Sequence, residues 1–357
     1  MSPSKRTSIA PFLRRGLNRY DGCLLSREVD MRRREFLGLV GGAAAYPLAA
    51  RAQQPNRPVV AMLSPVSAIA FARNLNALRA GFRDLDYTEG RNLSIEIRYA
   101  GGAVAQLPSL AAELVGLKPD AIVAGSVPAI TATHSLTRTI PVVMAATTID
   151  PTSMGLAASL AKPGGNVTGF WTESEDALIA KRLELLKNIV SGIARVGLVI
   201  NPTDPTDKVA IEQLPRVTRT LNLDVRVVEI DSPSQFESVL TNAARDGLNA
   251  LCISHAPLFF EKREQITALV TRLRLPAVYG FREFATAGGL LSYASNLADI
   301  WRRSAGVVAK ILRGAKPGDL PIERPDRFEL LANLKTAKSL GLVVPDRFLL
   351  IADEVIE

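Results

Sequence analysis

From residue 58 onward, short apolar runs rich in Val and Ile alternate with longer stretches of helical period, and this alternation constrains the fold more than any other feature. The first runs are 58–64 (PVVAMLS), 93–99, 121–125 (AIVAG) and 141–146 (PVVMAA), with helical stretches at about 69–85, up to 117, and 129–137. Strands buried on both faces have no polar face to alternate with, so such near-continuous apolar runs suit a parallel sheet covered by helices on both sides. The pattern restarts after Phe170-Trp171, with a helix over 176–189 and runs at 196–201, 225–230, 250–254 and 277–279, each separated by helical stretches. Two successive sets of βα units predict an α/β chain of two Rossmann-like lobes with parallel sheets joined by a multi-strand hinge. No sequence repeat of solenoid length is present.

The segment 288–295 (GGLLSYAS) is expected to return toward the first lobe, followed by a helix over 298–313, a Pro/Gly-rich link at 314–321, a strand near 328–331 and a helix over 333–340. The expected division is therefore 57–170 plus about 289–318 for one lobe, and 171–288 plus about 319–357 for the other. Lobes joined by several crossings close like a hinge over a cleft.

The chain has 357 residues and a formal charge of +8, a balance that often signals nucleic acid as partner. Its distribution argues otherwise. Residues 1–52 hold ten Lys/Arg and four acids, which leaves 33 basic and 31 acidic residues, a net of +2, for the remainder. Met31-Arg32-Arg33-Arg34-Glu35-Phe36-Leu37 is followed by a small and apolar run to Ala50 and then by Ala50-Arg51-Ala52. A charged start, an apolar stretch too short to span a bilayer and an A-x-A site form an export signal, and the Arg pair before Phe-Leu is of the twin-arginine type. Residues 1–52 thus read as a leader with a twin-arginine-type signal at 31–52, cleaved near Ala52, with Met31 an alternative start and a periplasmic product exported by the twin-arginine machinery. No Cys sits at the boundary for acylation, and Cys252 is then the lone thiol of the mature chain, so no internal disulfide is expected.

Catalytic signatures are missing. The sequence has no G-x-x-x-x-G-K-[ST] loop, no G-x-G-x-x-G opening a helix and no G-x-S-x-G elbow. His134 and His255 fall in different lobes and read as polar residues at element edges, and Cys252 reads as a buried strand residue. No cofactor or metal is expected, and no enzyme.

Ligands of open α/β sheets bind at the carboxyl ends of the strands, where helix N-termini offer unpaired N–H groups. That edge nominates Ser64, Ser67, Ser126, Thr147, Thr148 and Asp150 in the first lobe, and Ser254, Tyr279, Arg282, Tyr293 and Asn296 in the second or on the return crossing. Each also has a purely structural reading, as a helix cap for Ser64, Ser67, Thr148 and Asp150 or as a semi-buried aromatic for Tyr279 and Tyr293.

The C-terminal third is specific enough to carry a resemblance. Arg282-Glu283-Phe284-Ala285, Ala287-Gly288-Gly289-Leu290-Leu291-Ser292-Tyr293 and Asn296 with Asp299 and Arg302-Arg303 resemble substrate-binding proteins of ABC transporters, in the tryptophan/tyrosine-type subgroup. Ile311-Leu312-Arg313-Gly314, Lys316-Pro317-Gly318-Asp319-Leu320-Pro321, Ala161-Lys162-Pro163-Gly164-Gly165-Asn166-Val167-Thr168-Gly169 and the ending Ala352-Asp353-Glu354-Val355-Ile356-Glu357 extend it over about 58–357. The chain departs from the family pattern at Gly125-Ser126 and at Thr147-Thr148-Ile149. The resemblance implies a type I periplasmic binding protein fold and a monomer that captures one small solute, such as an amino acid, for an ABC permease and its ATPase. On this expectation a ligand carboxylate meets Ser64, Ser126 and Thr147, Asp150 or Asn296 takes an ammonium, and Tyr279 stacks on an apolar body. An exported ligand sensor or an exported α/β enzyme is the alternative; a DNA-binding regulator is disfavoured by the export signal and the near-neutral mature charge.

Overall fold

The computed structural model describes residues 57–357 apart from 326, so the leader reading lies outside the described residues. The first half contains β1 (Val59–Ser64), α1 (Ala68–Arg83), β2 (Ser94–Tyr99), α2 (Leu107–Gly116), β3 (Ala121–Ala124), α3 (Val127–Leu136), β4 (Val142–Met144) and β5 (Val167–Gly169). The strands form one parallel sheet in the order β2-β1-β3-β4-β5. The second half contains α4 (Glu175–Ile189), β6 (Arg195–Ile200), α5 (Pro205–Leu221), β7 (Asp224–Glu229), α6 (Phe236–Arg245), β8 (Ala250–Ile253), α7 (Pro257–Glu261), α8 (Arg263–Arg272), β9 (Ala277–Tyr279), α9 (Arg282–Thr286), β10 (Leu291–Ser295), α10 (Leu297–Leu312), β11 (Phe328–Asn333) and β12 (Glu354–Ile356). Its sheet runs β12-β11-β10-β9-β8-β6-β7, with β11 antiparallel to β10 and the other pairs parallel.

Both sheets are wound alike. The chain steps to one side of the first strand and then returns to build on the other, which places a switch point between β1 and β3 and another between β6 and β8. The central strands β3, β4, β8 and β9 are buried along their whole length, as their continuous apolar runs require. Two strands escaped the sequence reading: β5, embedded in a Gly/Asn-rich turn with one apolar residue, and the partly exposed terminal β12.

The position of β10 corrects an expectation. It pairs with β9 and β11 and so belongs to the second sheet, not to the first lobe. The crossing comes one residue later, at Asn296, whose side chain caps α10 by accepting from the Asp299 N–H at 2.9 Å. From there α10 packs along α1 of the first half, joining Ile300, Trp301, Ala305 and Val308 to Phe71, Leu75, Leu78 and Phe82 in one core. The approach is close at Gly81, where a Cβ would lie 2.2 Å from the Arg302 carbonyl oxygen. The 314–321 link then runs beside β5, with Thr168 Oγ1 donating to the Leu320 carbonyl at 2.9 Å and Trp171 N–H to that of Glu323 at 3.0 Å. The chain thus passes between the two sheets three times, after β5, at Asn296 and before β11.

Candidate ligand-binding cleft

One cleft opens at the carboxyl ends of both sheets, with about 850 Å³ of empty space that includes the open solvent at its mouth. Val66 after β1, Gly125 and Ser126 after β3, and Thr147 and Thr148 after β4 line one side. Asp204 and Thr206 after β6, His255 after β8, Phe281 after β9 and Ser295 at the end of β10 line the other. Both switch points therefore face the same space.

The first wall is a set of hydroxyls on stiff turns. Ser126 takes an extended backbone and caps α3, its hydroxyl accepting from the Ala129 N–H at 3.2 Å, so the positive end of that helix faces the cleft. Thr147 closes a tight turn by donating to the Ile149 carbonyl at 3.1 Å, and Thr172 donates to the Thr147 carbonyl at 2.9 Å. Hydroxyls beside a helix N-terminus make a receptor for an anion such as a carboxylate.

The opposite wall carries charge. Asp204, 2% exposed, caps α5 by accepting from the Thr206 N–H at 2.8 Å and is the one acid among the described lining residues, none of which is Lys or Arg. Behind it, Asp207 Oδ2 accepts from Asn201 N–H at 2.7 Å and from Ser254 Oγ at 2.8 Å. Fully buried Arg182 donates through Nε to the Tyr293 carbonyl at 2.9 Å and through its terminal nitrogen to the His255 ring. An arginine can only donate, so the ring nitrogen facing it accepts.

Aromatic rings complete the walls. Phe71 meets Trp301 edge-on with centroids 4.7 Å apart, and Phe281 lies 4.5 Å from His255 and 5.3 Å from Phe260. Trp301 presses on the β3 turn so tightly that a Cβ on Gly125 would sit 2.3 Å from its Cζ2. Glycine is therefore required there by proximity.

Of the eleven nominated residues, Ser126, Thr147 and Thr148 line the cleft, and the others are engaged elsewhere. Ser64 is fully buried and closes a turn onto Val66, while Ser67 caps α1 through the Ala70 N–H. Asp150 is spent on Thr152, accepting from both its N–H and its hydroxyl at 2.8 Å. Ser254 points at Asp207. Tyr279 is buried against Phe284, rings parallel at 4.9 Å, and burial pushes its phenol pKa far up, so it is a core aromatic and not a stacking platform. Tyr293 stacks on Phe328. Arg282 pairs with Glu329 and Glu354; burial works against its charge, but the two carboxylates outweigh that and raise its pKa. Asn296 caps α10 and donates to Glu329. These last residues brace the crossing and do not face the ligand space.

The sequence reading also passed over His255, taken as an edge residue, and over Phe71, Asn74, Asp204 and Trp301. Asp204 had a usable signal, an acid before Pro205 just after a strand, which marks a helix cap at a strand's carboxyl end. Asn74 interrupts the buried stripe of α1 between Phe71 and Leu78.

Two mostly parallel α/β sheets wound alike, crossed three times by the chain and sharing one cleft at their carboxyl edges, define a type I periplasmic binding protein fold. Within that class, residues 59–356 match the ABC transporter substrate binding protein family, and the chain belongs to it. A tyrosine-binding protein of Clostridioides difficile is 25% identical over 273 residues, covering 75% of this chain and 78% of that protein. Among solved structures, an ABC domain from Streptococcus pneumoniae in complex with L-Trp superposes with a TM-score of 0.77 at 22% identity, covering 84% of this chain and all of that one. A conserved domain protein from Vibrio cholerae gives 0.78 at 25% identity, with the same coverage. Proteins of this family bind substrates for ABC transporters, outside the cytoplasm, and the family is not one of enzymes. No helix among the described residues is long and apolar enough to cross a membrane.

Proposed function

We propose that this chain is the exported capture component of an ABC importer, and that its ligand is an amino acid with an aromatic side chain. The observation that carries this reading is the division of one cleft into three chemistries: hydroxyls at the α3 N-terminus, a single buried acid at Asp204, and aromatic walls between them. An α-carboxylate suits Ser126, Thr147 and Thr148, an α-ammonium suits Asp204, and a flat apolar side chain suits Phe71, Phe281 and Trp301. The tyrosine-binding relative and the tryptophan-bound neighbour support the same ligand class. Residues 31–52 direct the chain to the twin-arginine route, and the loaded protein hands its cargo to a permease.

Mass spectrometry of ligand released from purified residues 53–357 tests the class, followed by calorimetric titration of the twenty amino acids. Tyrosine or tryptophan should bind in the micromolar range or tighter. Ser126→Ala should weaken that binding about tenfold and Asp204→Asn more, since removing a charge-assisted contact costs about 1.5–3 kcal/mol. Binding unchanged in both variants would reject this site.

A further inference from the structure

Two polar groups in the cleft lining are buried and have no protein partner: Asn74 Oδ1 on α1, in a residue 3% exposed, and Ser295 Oγ at the end of β10, in a residue 7% exposed. By contrast, the hydroxyls of Ser64, Ser67, Ser126, Thr147, Thr172 and Ser254 are each tied to a backbone or side-chain group. A buried acceptor with no donor is destabilising, and one that lines a ligand cleft can be completed by a donor on the ligand. The position of Asn74 says which part of the ligand that is. It lies three residues after Phe71 on α1, a spacing that puts the two on one helix face, and Phe71 is edge-on to Trp301. Asn74 thus stands on the aromatic side of the cleft, on a different element from the hydroxyl wall of β3 and β4 and from Asp204 after β6.

We infer that Asn74 is a specificity-determining residue whose carboxamide oxygen accepts a hydrogen bond from the ligand's side chain, with the Ser295 hydroxyl as second polar contact. The inference deepens the proposed amino-acid reading and rests on it. The side chain selected is therefore an aromatic ring bearing a donor, a phenol O–H or an indole N–H, and the bare phenyl ring is the analogue rejected. Sites built to satisfy a buried polar group discriminate strongly against ligands that leave it unpaired, far more than apolar pockets discriminate by one methylene.

The test is a set of calorimetric titrations with matched pairs, tyrosine against phenylalanine and tryptophan against 1-methyltryptophan, on the wild type, Asn74→Leu and Ser295→Ala. The wild type should favour the better-binding donor-bearing ligand over its partner by tenfold or more. Asn74→Leu should bring the ratio within about twofold while leaving the ligand-free thermal midpoint unchanged or higher, because an unpaired buried polar group has been replaced by an apolar one of similar size. Ser295→Ala should reduce the ratio by a smaller factor, and it keeps the question answerable if Asn74→Leu fails to fold. Equal affinities within each pair for the wild type, or a ratio untouched by folded Asn74→Leu, would overturn the inference while leaving the amino-acid reading standing. Failure of all four compounds to bind the wild type would overturn both.

Discussion

Adding one methyl group at Gly125 should damage both stability and binding, because the cleft's aromatic wall leans on that backbone. A Cβ there would lie 2.3 Å from Trp301 Cζ2 and 2.9 Å from Cη2, whereas ordinary contact begins at 3.4 Å, so the indole must retreat by about 1 Å. It has little room to do so. Trp301 is 2% exposed, and Phe71 stands edge-on at 4.7 Å on another side. Forcing an extra carbon into such packing costs about 1–3 kcal/mol. Spread over the unfolding entropy of a body of this size, that is a drop of roughly 2–5 °C in the thermal midpoint. Because Gly125 and Trp301 both line the cleft, the displaced ring also changes the ligand space, and affinity for an aromatic amino acid should fall about tenfold, near 1.4 kcal/mol. Differential scanning calorimetry of ligand-free Gly125→Ala and titration with tyrosine and tryptophan measure the two effects. Trimming the indole, with Trp301→Phe in the Gly125→Ala background, should recover part of the lost stability and show a coupling of about 1 kcal/mol or more between the positions. A Gly125→Ala protein as stable and as tight-binding as the wild type, or strictly additive effects in the double variant, would refute the steric reasoning.

Glu261 on α7 accepts from the Ser67 N–H at 2.8 Å, so a carboxylate from the second half of the chain ties down the N-terminus of α1, the helix that carries Phe71 and Asn74 of the cleft lining. Glu261→Ala should speed ligand dissociation in stopped-flow fluorescence by about three- to tenfold with little change in association, and an unchanged off-rate would sink that latch role. Burial holds the half-buried Glu329 above the ordinary carboxylate value despite Arg282 and Arg73, so the folded chain binds protons more tightly there than the unfolded one and stability falls as pH rises just above that value. Glu329→Gln should flatten this slope in thermal midpoints recorded from about pH 4 to 7. Arg182→Met abandons the Tyr293 carbonyl and the His255 ring nitrogen, about 1–3 kcal/mol each, which urea unfolding should report as a lowered midpoint.

What the sequence made legible follows from where its signals are redundant. Strands such as β3 (Ala121–Ala124) and β8 (Ala250–Ile253) announce themselves because a strand buried on both faces must be apolar throughout, and each is bounded by helical period. That logic says nothing about where β10 belongs, since the sheet membership of Leu291–Ser295 depends on its partners β9 and β11 and not on its own composition. Ser126, Thr147 and Thr148 were legible as site residues because the edge rule for α/β sheets locates them without knowledge of packing. The rule misled at Ser64 and Ser254, which sit at strand ends too, and at Asp150 in the loop after β4; they are consumed by Val66, Asp207 and Thr152.

Strand ends supply only part of this cleft, and the reason lies in the third dimension of the topology. The crossing at Asn296 carries α10 away from the second sheet and lays it along α1, so the buried faces of two helices, bearing Phe71 and Asn74 on one and Trp301 on the other, reach the ligand space. Residues on a buried helix face read as core from periodicity alone, and Phe71 and Trp301 are core residues as well as walls. The distinguishing mark is polarity out of place. A carboxamide on the apolar stripe between Phe71 and Leu78 is a cost that packing does not explain, since its oxygen finds no partner in the fold. In a protein whose binding site is built from its own core, such an interruption of the helical stripe points to the ligand more directly than hydroxyls such as those of Ser64, Ser126 and Thr147, because these have a turn or a cap to serve and the buried Asn74 carboxamide oxygen has none.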